Sequence, residues 1–217
     1  MINIMNKRLF LFFLSIVIGI AIKAQQVDLS ATSSFEVYNR KISLSKSDGK
    51  QQLHLEAAEG DGMAWIKNTN FSTGVIEFDV KGKDVLQQSF VGIAFHGQND
   101  SSFDGIYFRP FNFNASDINR KNHSVQYISL PQYDWEYLRD KFPLVYEQPL
   151  NSSIGATDWF HVKVEVTENK IAVYVNHNSQ PCLTVKPLNN YTKGKIGFWV
   201  GNNSDGDFAN LVIKNSQ

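Results

Sequence analysis

The feature that most constrains this chain is its punctuation. Short runs of β-branched and aromatic residues recur along it, separated by clusters of Gly, Asn, Asp and Ser, at 35–38, 42–44, 52–56, 63–66, 74–80, 90–96, 105–111, 124–129, 160–167, 170–176, 182–185, 194–200 and 208–213. Many short strands between turn clusters predict an all-β sandwich or barrel. Strict alternation is clearest in Val75-Ile76-Glu77-Phe78-Asp79-Val80, where Ile76, Phe78 and Val80 share one face and the two acids share the other. The stretch at 161–166 repeats the pattern, and Thr167-Glu168-Asn169-Lys170 joins it to Ile171 and its neighbours as a hairpin. The one helical signature is at 135–141, a turn or two with Trp135, Leu138 and Phe142 at i, i+3 and i+7. The polar stretch 25–34 reads as a lead-in.

The start of the chain is of a different kind. Lys7 and Arg8 precede an apolar run from Leu9 to Ala21, and Ile22-Lys23-Ala24 ends in a small residue. This is a secretory signal with cleavage expected after Ala24, and the run is shorter than the roughly 20 residues that span a bilayer. The expected organisation is a signal peptide at 1–24 and one sandwich domain at 25–217, secreted or periplasmic, with no membrane span after cleavage. Cleavage removes three of the 21 basic residues and none of the 21 acids, so the formal charge falls from 0 to −3. Such a chain has no basic footprint for nucleic acid. Cys182 is the only cysteine, so no disulfide forms within the chain; its apolar setting predicts a buried, inert thiol.

Taken together, FSTGVIEFDVKG, FVGIAFHG, GIYFRPFNF, SVQYIS, DWFHVKVEVTENKIAVYVN and GKIGFWVGNNSDGDFANLVI resemble, in that order, the concanavalin A-like lectin/glucanase superfamily. The nearest likeness is to the laminin-G-like domains of bacterial secreted proteins. The resemblance implies a jelly-roll sandwich of two antiparallel sheets with any glycan site on the concave sheet or its rim. Distant likenesses reach family 16 glycoside hydrolases, which carry E-x-D-x-x-E on one strand, and the domains called 3-keto-disaccharide hydrolases. Here Glu77 and Asp79 supply the first two acids and Gly82 stands in place of the last. Retaining hydrolysis needs two carboxyl groups about 5 Å apart, so the departure argues against that chemistry on this strand.

Candidate binding residues gather in the middle of the chain. Arg109 and Asn112 follow a strand, and a guanidinium forms bidentate bonds to sugar hydroxyls or a carboxylate; the alternative is a structural pairing of Arg109 with Asp104. Gln126 neighbours Tyr127, so one of them faces the core and the other faces out. The loop at 131–159 carries Tyr133, Trp135, Glu136, Arg139, Tyr146 and Glu147, a composition that suits stacking on sugar rings and bonding to their hydroxyls. His96 closes a strand beside Gly97 and is the best histidine candidate, while His123, His161, Trp65, Trp159 and Trp199 read as packing or surface residues. The turn at 202–207 is rich in oxygen ligands; Asn203, Asp205 and Asp207 are candidates for a structural calcium, though a tight turn explains the same residues.

These readings converge on a carbohydrate-binding sandwich that recognises an oligo- or polysaccharide. A glycoside-cleaving enzyme using Glu77, Asp79, Glu136 or Glu147 is the second expectation. An interaction module for an envelope partner, or an accessory to a larger enzyme, is the third.

Overall fold

The computed structural model describes residues 24–47 and 49–216, so the expected signal peptide lies outside the described residues apart from Ala24. The back sheet is fully antiparallel. It orders β13 (Leu183–Val185), β12 (Ile171–Val175), β11 (Phe160–Val166), β6 (Gly74–Lys81), β15 (Gly206–Asn215), β4 (Lys50–Leu55) and β3 (Ile42–Ser47), with β1 (Ala24–Gln26) also paired to β15. The front sheet orders β10 (Glu147–Gln148), β9 (Val125–Ser129), β8 (Ser102–Phe108), β7 (Val91–Asn99), β14 (Gly194–Val200), β5 (Gly62–Phe71) and β2 (Phe35–Tyr38). This is the two-sheet jelly-roll expected from the strand succession.

Aromatic rings lock the two sheets together. Phe198 of the front sheet lies 4.5 Å from Phe208 and 6.3 Å from Phe78 of the back sheet, and Phe108 lies 5.1 Å from Phe160. All these rings are essentially buried, and each contributes about 1.5–3 kcal/mol of apolar burial. In β6, Ile76, Phe78 and Val80 point into this core, which forces Glu77 and Asp79 to the outside of the back sheet.

Two segments depart from expectation. The lead-in at 25–34 is not merely polar: β1 pairs with the second half of β15, beyond the end of β4, and Val27 and Leu29 are buried against the core. The second departure is β10, a two-residue strand that pairs Glu147 with Gln126 and so adds an edge to the front sheet from within the long loop. The expected helical turn is present as α2 (Trp135–Lys141), N-capped by Asp134, whose Oδ1 accepts from the Tyr137 N–H at 2.8 Å. A shorter turn, α1 (Ile118–Lys121), precedes β9. Cys182 is buried, and burial pushes its thiol up to about 12, in keeping with an inert role.

Candidate functional site

Strand register builds the site. Ile93, Ile106, Tyr127, Phe198 and Ala64 lie in one cross-strand row that faces the core. The adjacent row, Glu147, Gln126, Tyr107, Gly92, Trp199 and Met63, therefore faces outward across the front sheet. Gly92 sits between Tyr107 and Trp199 in that row, and an added Cβ there would run into the backbone of Ile106 and Tyr107. With glycine in place, the Tyr107 and Trp199 rings meet at 5.0 Å and form the floor of a cleft of about 750 Å³. Its walls come from loops: Leu86 and Phe90 ahead of β7, Phe111, Asn112, Arg120 and His123 between β8 and β9, Leu130, Trp135 and Arg139 around α2, and Asp61 and Asn202 on the opposite rim. Volume, apolar walls and a few convergent polar groups match the make-up of a small-molecule site.

The polar side of the cleft is held from beneath. Arg109 is buried; its guanidinium donates to the Tyr107 hydroxyl at 2.6 Å, to Gln126 Oε1, and to the His123 carbonyl at 3.1 Å, and lies over the Tyr107 ring at 4.8 Å. The Tyr107 hydroxyl donates to Gln126 Oε1 at 3.0 Å, and burial pushes it up to about 12, so it stays protonated. Glu147 is buried under the cleft wall. It accepts a two-pronged bond from Arg139 (2.9 and 2.7 Å), lies 2.8 Å from His123 Nδ1, and is 3.7 Å from Arg109. Burial lowers the Arg109 guanidinium and the His123 imidazole, while the hydrogen bonds to Glu147 raise Arg139. Asn112 donates to the His123 carbonyl and accepts from Arg120 Nε, whose Nη2 also donates to the Phe111 carbonyl at 2.7 Å.

Of the residues expected from sequence, Arg109, Asn112, Trp135 and Arg139 line the cleft together, with Gln126 and Glu147 directly beneath. Tyr127 faces the core, so Gln126 faces out. Arg109 does not pair with Asp104, which is fully buried and accepts instead from His96 at 2.8 Å, from Tyr127 at 2.8 Å and from Ser129. His96 belongs to that internal set and not to the cleft. A bulge with φ of 53° turns its ring inward between Phe71 and Phe95. Tyr133 is half-buried against the core, and Glu136 is exposed in the first turn of α2; neither lines the cleft.

Glu77 and Asp79 lie on the outside of the opposite sheet. Glu77 accepts from Lys214 at 2.7 Å, and Asp79 is bonded to Lys50, His161 and Asn210. The acids of the 202–207 turn are likewise engaged: Asp205 pairs with Lys83, and Asp207 with His54 and Lys81. Among the described residues no three His, Cys, Asp or Glu side chains gather as a metal cage. Asn203 adopts φ of 55° in a tight turn closed by the Ser204 N–H on the Gly201 carbonyl at 3.1 Å, and its own N–H donates to the Ala58 carbonyl of another loop.

Sequence reasoning missed Tyr107, Asp61 and Arg120, and it read Trp199 and His123 as packing or surface residues. Trp199 and Tyr107 lie in strands that are apolar on both faces, which hides the outward row. The Trp199 indole N–H is buried and meets no acceptor at full bonding geometry among the described residues, yet it stands near enough to Asp61 to act on its carboxyl. Burial pushes the Asp61 carboxyl up, against the lowering pull of that indole and of Arg40.

The fold and the cleft on its outward sheet define a concanavalin A-like sandwich. No family model matches the sequence, and no curated relative does. Solved structures do. Carbohydrate-binding module CBM66 from Bacillus subtilis superposes with a TM-score of 0.57 at 14% identity, covering 84% of this chain and 96% of that one. The Bacillus licheniformis beta-glucanase gives 0.52 at 15% identity over 89% and 92%. The exoplasmic/lumenal domain of VIP36, bound to Ca2+ and Man3GlcNAc, gives 0.53 at 10% identity over 84% and 83%. At these identities the likeness establishes the fold.

Proposed function

We propose that this protein binds carbohydrate in the front-sheet cleft, with the 131–159 loop as one wall. The observation that carries the reading is the floor of Tyr107 and Trp199 beside the buried, pre-aligned Arg109. Rings offer faces for sugar C–H groups, and the guanidinium and Asn112 amide offer donors for hydroxyls. Neighbours that are a carbohydrate-binding module and a domain bound to Man3GlcNAc favour the same reading. Export follows from Lys7, Arg8 and the apolar run after them; a secreted protein whose first residue is Gln25 would fit it, and one beginning at Met1 would not.

Calorimetry against a broad glycan set is the test, run with calcium and with EDTA. Millimolar or tighter binding that weakens about tenfold in Trp199→Ala fits the proposal. No heat with any glycan sinks it and leaves the cleft to an envelope partner. Loss on chelation would bring a calcium ion into the site, and if the 202–207 turn held it, Asp205 and Asp207 would have to leave Lys83 and Lys81.

Cleavage is the second reading, favoured by Asp61, a carboxyl raised by burial at the cleft rim, and by the beta-glucanase neighbour. Of the four carboxylates expected from sequence, only Glu147 adjoins the cleft, and Arg139 occupies both its oxygens. Product analysis of every glycan that binds decides it: turnover lost in Asp61→Asn supports an acid role, and unchanged ligand rules the enzyme out.

A further inference from the structure

The charged groups around the cleft are unevenly placed. Arg109, Arg120 and Arg139 stand on one side, chained through the His123 carbonyl, Asn112 and Glu147. Two carboxylates answer them there. Glu147 is committed to Arg139, and Asp134 is turned back to cap α2. Arg120 makes no ion pair among the described residues; its guanidinium is fixed by two neutral acceptors, Asn112 Oδ1 and the Phe111 carbonyl. Arg109 is hydrogen-bonded only to neutral oxygens, and its one ion-pair contact, to Glu147, is a long 3.7 Å. His123 does not add to the positive side at neutral pH, since burial disfavours its charged form. Three cations against two anions leave that side net positive, whereas Asp61 faces it from the opposite rim beside Trp199.

We infer that the glycan bound in this cleft is anionic and lays an oxyanion, the carboxylate of a uronic acid or a sulfate ester, against Arg120 and Arg109. Two guanidinium groups whose hydrogen bonds within the protein all go to neutral acceptors, in a cleft walled by Leu86, Phe90, Leu130 and Trp135, lose little entropy on bonding an oxyanion, and such charge-assisted bonds are about twice as strong as neutral ones. A neutral sugar would leave that excess positive charge unanswered. A neighbouring aromatic floor would at the same time orient the ring, so that only one edge of the sugar reaches the arginines. The inference rests on the carbohydrate-binding reading.

The test compares ligands that differ only in charge. Oligogalacturonate and its methyl ester form one pair, and carrageenan oligosaccharides before and after desulfation form the other, each titrated into the protein at low and high salt. The expected result is about a tenfold preference for the charged member of one pair, shrinking as salt rises, and the pair that shows it names the oxyanion. In Arg120→Gln, with its thermal transition intact, that preference collapses. Equal binding of charged and neutral members, or a preference that survives in a folded Arg120→Gln, overturns the inference and leaves carbohydrate binding standing. Absence of binding to either pair and to neutral glycans overturns both.

Discussion

The outward faces of the two sheets use similar residues to opposite ends. On the back sheet, Glu77, Asp79, His161, Lys163, Glu165 and Lys214 alternate with core residues and pair with one another at the solvent boundary. On the front sheet the outward row is Gln126, Tyr107, Gly92 and Trp199, and its charges, Arg109 and Glu147, are buried beneath loops. Exposed pairs gain little because water screens them, whereas a buried pair loses much when one member is removed. The same chemistry is therefore surface dressing on one sheet and scaffolding for a cleft on the other.

The largest contrast is expected from removing one carboxylate on each face. Glu147→Gln takes the counter-charge from Arg139 and from the buried Arg109, and it should lower unfolding free energy by about 3 kcal/mol. Glu77→Gln loses a half-buried but water-screened pair with Lys214 and should change it by less than about 1 kcal/mol. Urea denaturation of the two variants measures both, and equal losses would break the distinction between the faces. Ligand binding sharpens it. Trp199→Ala should weaken glycan affinity about tenfold, while Lys163→Ala on the back sheet should leave it within about twofold. A back-sheet substitution that abolished binding would place the site on the wrong sheet.

How far the chain betrayed these roles depends on how each face is covered. The back sheet was legible because Ile76, Phe78 and Val80 alternate with polar residues, so inside and outside could be separated by eye. In the front sheet, runs such as Gly105-Ile106-Tyr107-Phe108 are buried on both faces, by the core on one and the loops on the other, and alternation disappears. Tyr107 and Trp199 were therefore invisible as a floor. Arg109, Asn112, Trp135 and Arg139 were legible because polar and aromatic residues crowd into loops that flank a strand. His96 was misplaced by a bulge, which no period of two can reveal. Asp61 and Arg120 carry no pattern at all; they reach the cleft only because the 3D arrangement of loops brings them to its rim.

The smallest expected effects concern pH and have opposite signs on the two faces. Burial raises Asp79, yet hydrogen bonds from His161, Asn210 and Lys50 outweigh it and bring its carboxyl down to about 2. Its stabilisation is fully present above the unfolded value of about 3.9 and is lost as pH falls toward 2. After discounting for solvent screening, that loss is about 1 kcal/mol. Asp61 is shifted the other way, upward, so the folded chain holds that proton to a higher pH than the unfolded chain does. Folding then takes up a proton between about 3.9 and the raised folded value, and stability declines as pH rises through that window. Asp79→Asn should flatten the acid limb of a stability-against-pH curve measured by urea midpoints, and Asp61→Asn should flatten the decline just above it. If both variants bent the curve in the same direction, the cleft carboxyl would be as well paired as the one on the back sheet.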